Sequence, residues 1–301
     1  MNIFIDILLR LSAIIGSGLL WIAVVNRLHA VAIPQIVGKI LWLICLAMVP
    51  ATMIYVAFAF RFDTEQPIAG NIPALVLSGV TCISIAAWCV SLLKAHSTAK
   101  LITEETIERL DHRSDAVFDC GTAFTRSLHL HFPGNRTLAP DLTCRTIALP
   151  HWPESLDGLT IALLSDLHIG DCLPASYFDF IAEQTNRLQP DLIMLTGDLL
   201  EEIRSFDKLA GFAEKLRAKA GIYYVLGNHD LDHSESDCRR IHDLLDSFGW
   251  TCVTGRTVTQ QIPNESNNTI KGEITIAGCE LPWGGTWPKA DRNADAPRIL
   301  L

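Results

Sequence analysis

The chain has 301 residues, of which 49% are hydrophobic, and a formal net charge of −9 at pH 7. A mean hydropathy of +0.27 is high for a purely soluble protein. The acidic charge argues against a general nucleic-acid-binding protein, which would normally be basic, so no nucleic acid partner is expected. The nine cysteines are scattered without a CxxC pair, which favours reduced thiols over a disulfide framework.

Three long apolar runs lie near the N-terminus, at about Ile3–Val25, Ile40–Phe60 and Ile72–Leu93. The second and third carry no charged residue and reach the ~20 helical residues that a ~30 Å hydrocarbon core requires. The first run is interrupted by two charged residues and is either a further span or an uncleaved signal anchor. Residues 1–93 are therefore predicted to form a transmembrane region of two to three helices, with the lipid bilayer as a partner.

The distribution of Lys and Arg around these runs predicts an orientation. Two positive residues follow the first run and two follow the third, whereas the loop after the second run carries only Arg61. Because positive loops stay on the cytoplasmic side, this bias places the N-terminus outside and the residues beyond Leu93 in the cytoplasm.

Residues 94–144 are predicted to form a connector. The charged stretch Thr103–Arg113 favours an exposed helix, and a turn is expected at Phe132–Gly134. His129 and His131 alternate in "LHLHF"; metal binding by this pair is possible, but the spacing favours one face of a strand.

Strands and helices alternate from residue 145 onwards. Buried strands are predicted in Leu159–Gly170, Asp191–Leu200 and Gly221–Asp230, amphipathic helices in Ser176–Gln189, Phe206–Leu216 and Ser234–Phe248, and short strands at "WTCV" and "EITIAG". Such alternation implies right-handed crossovers and a mainly parallel or mixed sheet, which is an α/β fold.

Polar residues follow each of the three predicted buried strands. They are Asp166 and His168 after the first strand, Asp198 after the second, and Asn228, His229 and Asp230 after the third. Ligands of open α/β sheets gather at the carboxyl ends of the strands, so these groups are expected to share one edge.

The chemistry of this set points to divalent metals, because carboxylate, imidazole and amide donors suit hard or borderline ions. A close pair of ions can generate hydroxide and hold a phosphoryl group in line for attack. Each motif alone occurs often by chance, and "GNHD" alone could be a turn. The specific signal is the order: DxH, then GD, then GNHD, each directly after a buried strand.

"SDLHIG", "LTGDLL" and "LGNHD" resemble the first three motifs of the calcineurin-like metallophosphoesterases, over about residues 145–301. Together with the N-terminal spans, they are similar to the bacterial membrane-associated phosphodiesterase branch. That branch includes enzymes that cleave the pyrophosphate of UDP-diacylglucosamine. The resemblance implies a metallophosphoesterase α/β sandwich behind transmembrane helices, in the cell inner membrane.

The resemblance also implies roles for individual residues and two divalent metal ions, Mn, Fe or Zn. Asp166 and His168 would bind the first metal, Asp198 would bridge both, and Asn228 would bind the second. His229 would lie beside the leaving-group oxygen as a general acid or a phosphate-stabilising donor, and Asp230 would orient His229.

Two later motifs of that family, a lone histidine and Gly-His-x-His, do not occur in these 301 residues. We therefore expect an incomplete domain at residues 145–301, lacking ~80–100 residues of the usual domain size, and doubtful activity for this chain alone. The segment "GCELPWGG" departs from the branch pattern at Glu280 and Leu281, so no site role is predicted for it.

Two functions remain open on this basis. One is a membrane-anchored, metal-dependent phosphoesterase that hydrolyses a phosphodiester or pyrophosphate bond of a lipid-linked or nucleotide-sugar substrate. The alternative is a non-catalytic membrane protein whose degenerate phosphoesterase domain serves metal or partner binding. The motifs themselves do not encode the substrate, because these kinds of phosphoester cleavage use the same metal pair.

Overall fold

The computed structural model describes residues 3–29, 35–59, 68–112, 136–264, 269–281, 286–288 and 296–301. They form two compact units, Met1–Leu101 and Ile102–Leu301. The predicted turn at residues 132–134 and the histidine pair His129 and His131 lie outside the described residues.

The first unit consists of three long helices, α1 (Ile3–His29), α2 (Gln35–Ala59) and α3 (Ile68–Ala99). Each contains a window long and apolar enough to cross a membrane, with mean hydropathy of 1.6, 2.0 and 2.1 in chain order. Only 17%, 6% and 6% of the residues in these windows are buried. Apolar side chains that face outward in this number suit lipid rather than water. The prediction of apolar membrane-type helices is confirmed, including the first run.

Helices α1 and α3 approach each other closely at a glycine. A Cβ atom on Gly16 would overlap the backbone carbonyl of Leu77, so only glycine fits at this crossing. Beside it, the hydroxyl of Thr81 donates a hydrogen bond of 2.6 Å to the carbonyl oxygen of Ser12. Small residues and hydroxyl bonds of this kind are the usual means of association between helices in lipid.

We predict that Gly16→Ala lowers the stability of the first unit by about 1–3 kcal/mol, because the backbone of Leu77 cannot move aside as a side chain can. Gly18→Ala is the matched control, since its added Cβ would meet only the sulfur of Met53, at 3.7 Å. Thermal unfolding of the full chain in detergent, followed by circular dichroism, measures both. Equal midpoints for the two variants would contradict the close approach.

The second unit begins with a two-stranded antiparallel sheet of β1 (Ile102–Arg109) and β2 (Asp141–Ile147). The predicted exposed helix over Thr103–Arg113 is therefore wrong. Threonine and isoleucine, which favour strands, are interspersed among its charged residues, and β2 supplies the backbone partners that the isolated segment lacks. An ion pair also joins the two strands, since Arg145 Nε lies 2.5 Å from Oε2 of Glu105, the residue directly opposite it.

A four-stranded parallel sheet lies at the centre of the second unit. Its strands, in spatial order, are β3 (Ile161–Leu164), β4 (Leu192–Leu195), β5 (Gly221–Tyr224) and β6 (Thr251–Cys252). The connecting helices are α4 (Ala175–Arg187), α5 (Phe206–Lys215), the short α6 (Asn228–Leu231) and α7 (Glu235–Ser247). The predicted parallel sheet with helical crossovers is confirmed.

Alternate residues of the central strands face two separate cores. Ile193, Leu195 and Tyr224 pack with helix residues such as Phe178, Phe212 and Ile241. Leu192, Met194 and Tyr223 pack with Ile262, Ile274 and Ile276. The last three belong to a second sheet, ordered β7 (Thr257–Asn264), β8 (Thr269–Ala277) and β9 (Arg298–Leu300). The result is an α/β sandwich: helices, parallel sheet, second sheet.

Candidate metal centre

The loops that leave β3 and β4 are joined by backbone hydrogen bonds. The amide of Asp166 donates to the carbonyl oxygen of Gly197 at 3.2 Å, and the amide of His168 donates to that of Asp198 at 2.9 Å. These bonds continue the parallel pairing beyond the strands. The DxH and GD motifs therefore lie side by side at the carboxyl edge, as the sequence predicts.

Three of the candidate ligands have left-handed backbone conformations. The φ angles are 53° at Asp166, 42° at His168 and 50° at Asp198. Non-glycine residues adopt this region rarely, at a cost on the order of 1–3 kcal/mol each, and such strain clusters at functional sites.

Two glycines let the loops after β4 and β5 touch. Gly197 has φ +101°, and a Cβ atom there would lie 2.5 Å from the amide nitrogen of Gly227. A Cβ on Gly227 would in turn overlap the carboxylate of Asp198. In this contact Asp198 Oδ1 accepts a hydrogen bond of 3.0 Å from the backbone amide of His229. The GD and GNHD motifs are thus held in contact by the close approach of Gly197 to Gly227 and by the bond from the His229 amide to Asp198.

The side chains of His168, Asp198 and His229 converge so that one potential ligand atom from each lies within 4.8 Å of the others. His168 Nε2 is 3.8 Å from Asp198 Oδ2 and 4.0 Å from Asp166 Oδ1. Ligands held ~2.0–2.2 Å from one ion lie at about such separations from each other. The separations among Asp166, His168 and Asp198 therefore fit a divalent metal, and His229 lies close beside these three donors.

The other predicted ligands lie at the same edge. Asp166 is exposed, and its carboxylate accepts a hydrogen bond from the hydroxyl of Ser165. Asn228 is half-buried and begins α6, one residue before His229. Their coordination of a metal stays a prediction.

Glu201 is a member of this centre that the sequence reasoning missed. Its Oε2 lies 2.7 Å from His168 Nδ1 and 3.1 Å from His229 Nδ1. The rings of these two histidines meet edge to face, with centroids 4.7 Å apart. One carboxylate therefore orients both imidazoles. The available signal was its position three residues after Asp198, on the loop that carries the GD motif.

Asp230 was predicted to orient the ring of His229, but its carboxylate contacts backbone amides instead. It is fully buried, and its carboxylate accepts hydrogen bonds from the amides of Leu199 at 3.1 Å, Leu200 at 2.8 Å and Gly227 at 2.9 Å. Burial raises the pKa of the Asp230 carboxyl, and the three amides oppose that rise. The carboxylate beside the His229 ring is instead that of Glu201.

Glu280, for which no role was predicted, binds the start of the loop after β5. It is only 8% exposed, and its Oε1 accepts a hydrogen bond of 2.9 Å from the amide of Leu226 and another from the hydroxyl of Thr254. Leu226 directly precedes Gly227, so this bond fixes the position of the backbone at the start of the GNHD motif.

We predict that Asp230→Asn destabilises the fold by about 2–4 kcal/mol, because an amide NH₂ would then face backbone N–H donors and leave them unsatisfied. Asp243→Asn, an exposed change on α7, is the control and should stay within about 0.5 kcal/mol. Chemical denaturation of each variant measures the difference. Similar losses for both would contradict the contacts assigned to Asp230.

Comparison with known proteins extends this picture. The family model described as calcineurin-like phosphoesterase matches residues 159–278. A Danio rerio transmembrane protein with metallophosphoesterase domain is 29% identical over 263 residues, 82% of this chain and 56% of the relative. The UDP-2,3-diacylglucosamine pyrophosphatase LpxG of Chlamydia muridarum is 36% identical over 134 residues, 42% of this chain and 40% of the relative.

A third relative, the uncharacterized metallophosphoesterase YkoQ of Bacillus subtilis, is 33% identical over 127 residues, 40% of this chain and 43% of the relative. The chain thus spans little more than half of the first of these relatives and less than half of the other two. All three matches agree with the motif resemblance and with the described sandwich. Residues 159–278 of this chain therefore form a calcineurin-like phosphoesterase domain.

Proposed function

We propose that this chain is a membrane-anchored, metal-dependent phosphoesterase that hydrolyses a phosphodiester or pyrophosphate bond. The observation that carries the proposal is the convergence of His168, Asp198 and His229 within 4.8 Å at the carboxyl edge of the parallel sheet. The names of the relatives support the reaction class, since one is a pyrophosphatase and others are metallophosphoesterases.

Two divalent ions, Mn, Fe or Zn, would be held at this edge. Asp166, His168 and Asp198 would hold the first ion, and Asp198 with Asn228 would contribute to the second. Bound there, the ions would supply Lewis-acid polarisation of the phosphoryl oxygens. His168 suits this role because a proton on Nδ1 satisfies Glu201 at 2.7 Å and leaves Nε2 free as the ligand atom.

His229 would act on the leaving group. Its Nδ1 lies 3.1 Å from Glu201 Oε2, so a proton on Nδ1 donates to that carboxylate. The opposite ring nitrogen, Nε2, is then the atom that gives a proton to the leaving-group oxygen or a hydrogen bond to the phosphate. Glu201 is a positioning residue in this arrangement, since it fixes the ring and the protonated nitrogen of His229.

The substrate class would be a lipid-linked or nucleotide-sugar phosphoester. The similarity to a UDP-2,3-diacylglucosamine pyrophosphatase supports either part of that description, since the named compound carries both a nucleotide and acyl chains. The protein would be a multi-pass protein of the inner membrane with the phosphoesterase domain in the cytoplasm.

We predict that two substitutions in this centre both lower turnover but differ in their effect on metal content. Asp198→Asn removes the carboxylate shared by both metals and should lower bound Mn²⁺ and turnover together. His229→Ala should leave metal content largely intact and slow hydrolysis by ~10²–10⁴-fold. Metal analysis of the purified chain beside hydrolysis of bis-p-nitrophenyl phosphate with Mn²⁺ separates these effects.

The control for both variants is Asp243→Asn, which removes an exposed carboxylate on α7 and should change neither readout. Glu201→Gln keeps the shape of the side chain but loses the charge, and should resemble His229→Ala more than Asp198→Asn. Metal loss in His229→Ala with retention in Asp198→Asn would reverse the assigned roles. Metal binding without any metal-dependent turnover in the wild type would favour the non-catalytic alternative.

We predict that alkaline carbonate fails to extract the chain from membranes, because three apolar helices hold it there. Alkaline phosphatase fused within residues 60–67 should be active, since the charge bias places that segment outside, whereas a fusion after Leu301 should be inactive. The reverse pair of activities would overturn the cytoplasmic placement while leaving the membrane anchoring intact.

A further inference from the structure

A cleft of about 530 Å³ opens beside the candidate metal centre, between the loop after β3 and helix α4. This volume lies within the ~300–1,000 Å³ typical of small-molecule sites. Its lining includes an apolar wall, which consists of Leu167, Leu173, Tyr177, Phe178 and Ile181.

The cleft borders the candidate metal centre, because Asp166, His168 and Glu201 are also among its lining residues. A molecule whose phosphate lies at these groups would therefore extend its adjoining part over the apolar wall. The cleft and the candidate centre therefore share three side chains.

The charge of the lining residues restricts the charge of the substrate group that the cleft can bind. The described lining residues include four carboxylates, those of Asp166, Asp171, Glu201 and Glu202, and no Lys or Arg. Arg204 lies 2.7 Å from both Asp171 and Glu202, and Lys208 Nζ lies 3.8 Å from Asp171 Oδ1. Two cations outside the lining therefore neutralise part of this charge, and the carboxylates of Asp166 and Glu201 remain. A second anionic group of a substrate would be repelled here, whereas an uncharged apolar group would not.

The wall is held in place before any ligand arrives. Lys208 Nζ donates hydrogen bonds to the carbonyl oxygens of Gly170, at 2.7 Å, and Leu173, at 3.0 Å. On the helix side, Phe178 is only 1% exposed within the core. A preformed apolar surface binds an apolar group without the cost of ordering it first.

We propose that this cleft binds the apolar chain of an amphiphilic phosphoester substrate, with the phosphate at the metal centre. The inference rests on the proposed function and narrows it: of the lipid-linked and nucleotide-sugar alternatives, it selects a lipid-linked substrate that has a hydrocarbon chain close to the reacting phosphate. Phosphate contacts fix the reacting end, and contact with Leu173 and Ile181 supplies selectivity for the chain.

The test measures binding rather than turnover, so that it stands apart from the proposed activity. The full chain in lipid nanodiscs with Mn²⁺ is titrated calorimetrically with methylphosphonate and with octylphosphonate, and empty nanodiscs are subtracted. Complete transfer of one methylene group from water corresponds to about a fourfold change in affinity. Partial burial of seven added methylenes should still tighten binding at least tenfold.

Leu173→Gln and Ile181→Gln should each lose most of that gain and leave methylphosphonate affinity unchanged. Leu188→Gln is the matched control, because Leu188 is an apolar residue 37% exposed just after α4 and outside the cleft. Far-UV circular dichroism checks that each variant is folded; if one glutamine variant unfolds, the other decides. Equal affinity for the two phosphonates in the wild type would overturn the inference, as would equal losses in Leu188→Gln.

The phosphonate titration and the hydrolysis assay together distinguish the two proposals. A chain-length gain without hydrolysis of bis-p-nitrophenyl phosphate would sustain the cleft and reject the catalytic function. Hydrolysis without a chain-length gain would support the catalytic function and reject the proposed role of the cleft.

Discussion

The buried carboxylate of Asp230 is the contact on which the candidate centre depends. By accepting from the amides of Leu199, Leu200 and Gly227, it ties the loop after β4 to the loop after β5. Asp198 immediately precedes the first of these amides, and His229 lies two residues after the last. The distance between the carboxylate of Asp198, a predicted metal ligand, and His229 is therefore fixed by bonds between the Asp230 side chain and the main chain. Long side chains on separate loops could not supply this by themselves.

This main-chain network also explains how the strained residues persist. Asp166, His168 and Asp198 have left-handed φ angles, which together cost on the order of several kcal/mol. The backbone bonds from Asp166 to Gly197 and from His168 to Asp198 over-determine the conformation of both loops. The strain turns side chains of neighbouring loops toward one point, so stability and site geometry are opposed here, as is common at functional centres.

The sequence predicts the parts of this structure that depend on local pattern. Buried strands followed by DxH, GD and GNHD predict both the parallel sheet and the edge at which the polar groups meet, because parallel strands share their carboxyl ends. The strand β1 was missed because its exposed residues carry no burial signal, and only pairing with β2, more than 30 residues later, decides its conformation.

Glu201 and Asp230 were misjudged for a related reason. Glu201 is one of two adjacent glutamates in a polar loop, and nothing local separates the one that bonds His168 and His229 from its neighbour. Asp230 stands next to His229 in the chain, which suggested a direct contact. The helical turn of α6 instead directs its carboxylate toward the amides of the preceding loop. Adjacency in sequence is a poor guide where the backbone turns.

The signs of the charges at the centre link metal binding to substrate binding. Asp166, Asp198 and Glu201 surround the position where a phosphate would react, and the described lining of the adjoining cleft adds Asp171 and Glu202 without a Lys or Arg. A phosphate oxygen brought to this surface alone would meet net repulsion. Bound cations would be the largest local charges and would reverse that sign. The apolar wall provides the complementary attraction, because burial of a hydrocarbon chain is insensitive to the charge of the site. Under the proposed function, an anionic lipid would therefore be recognised through metal on one side of the cleft and through hydrophobic contact on the other.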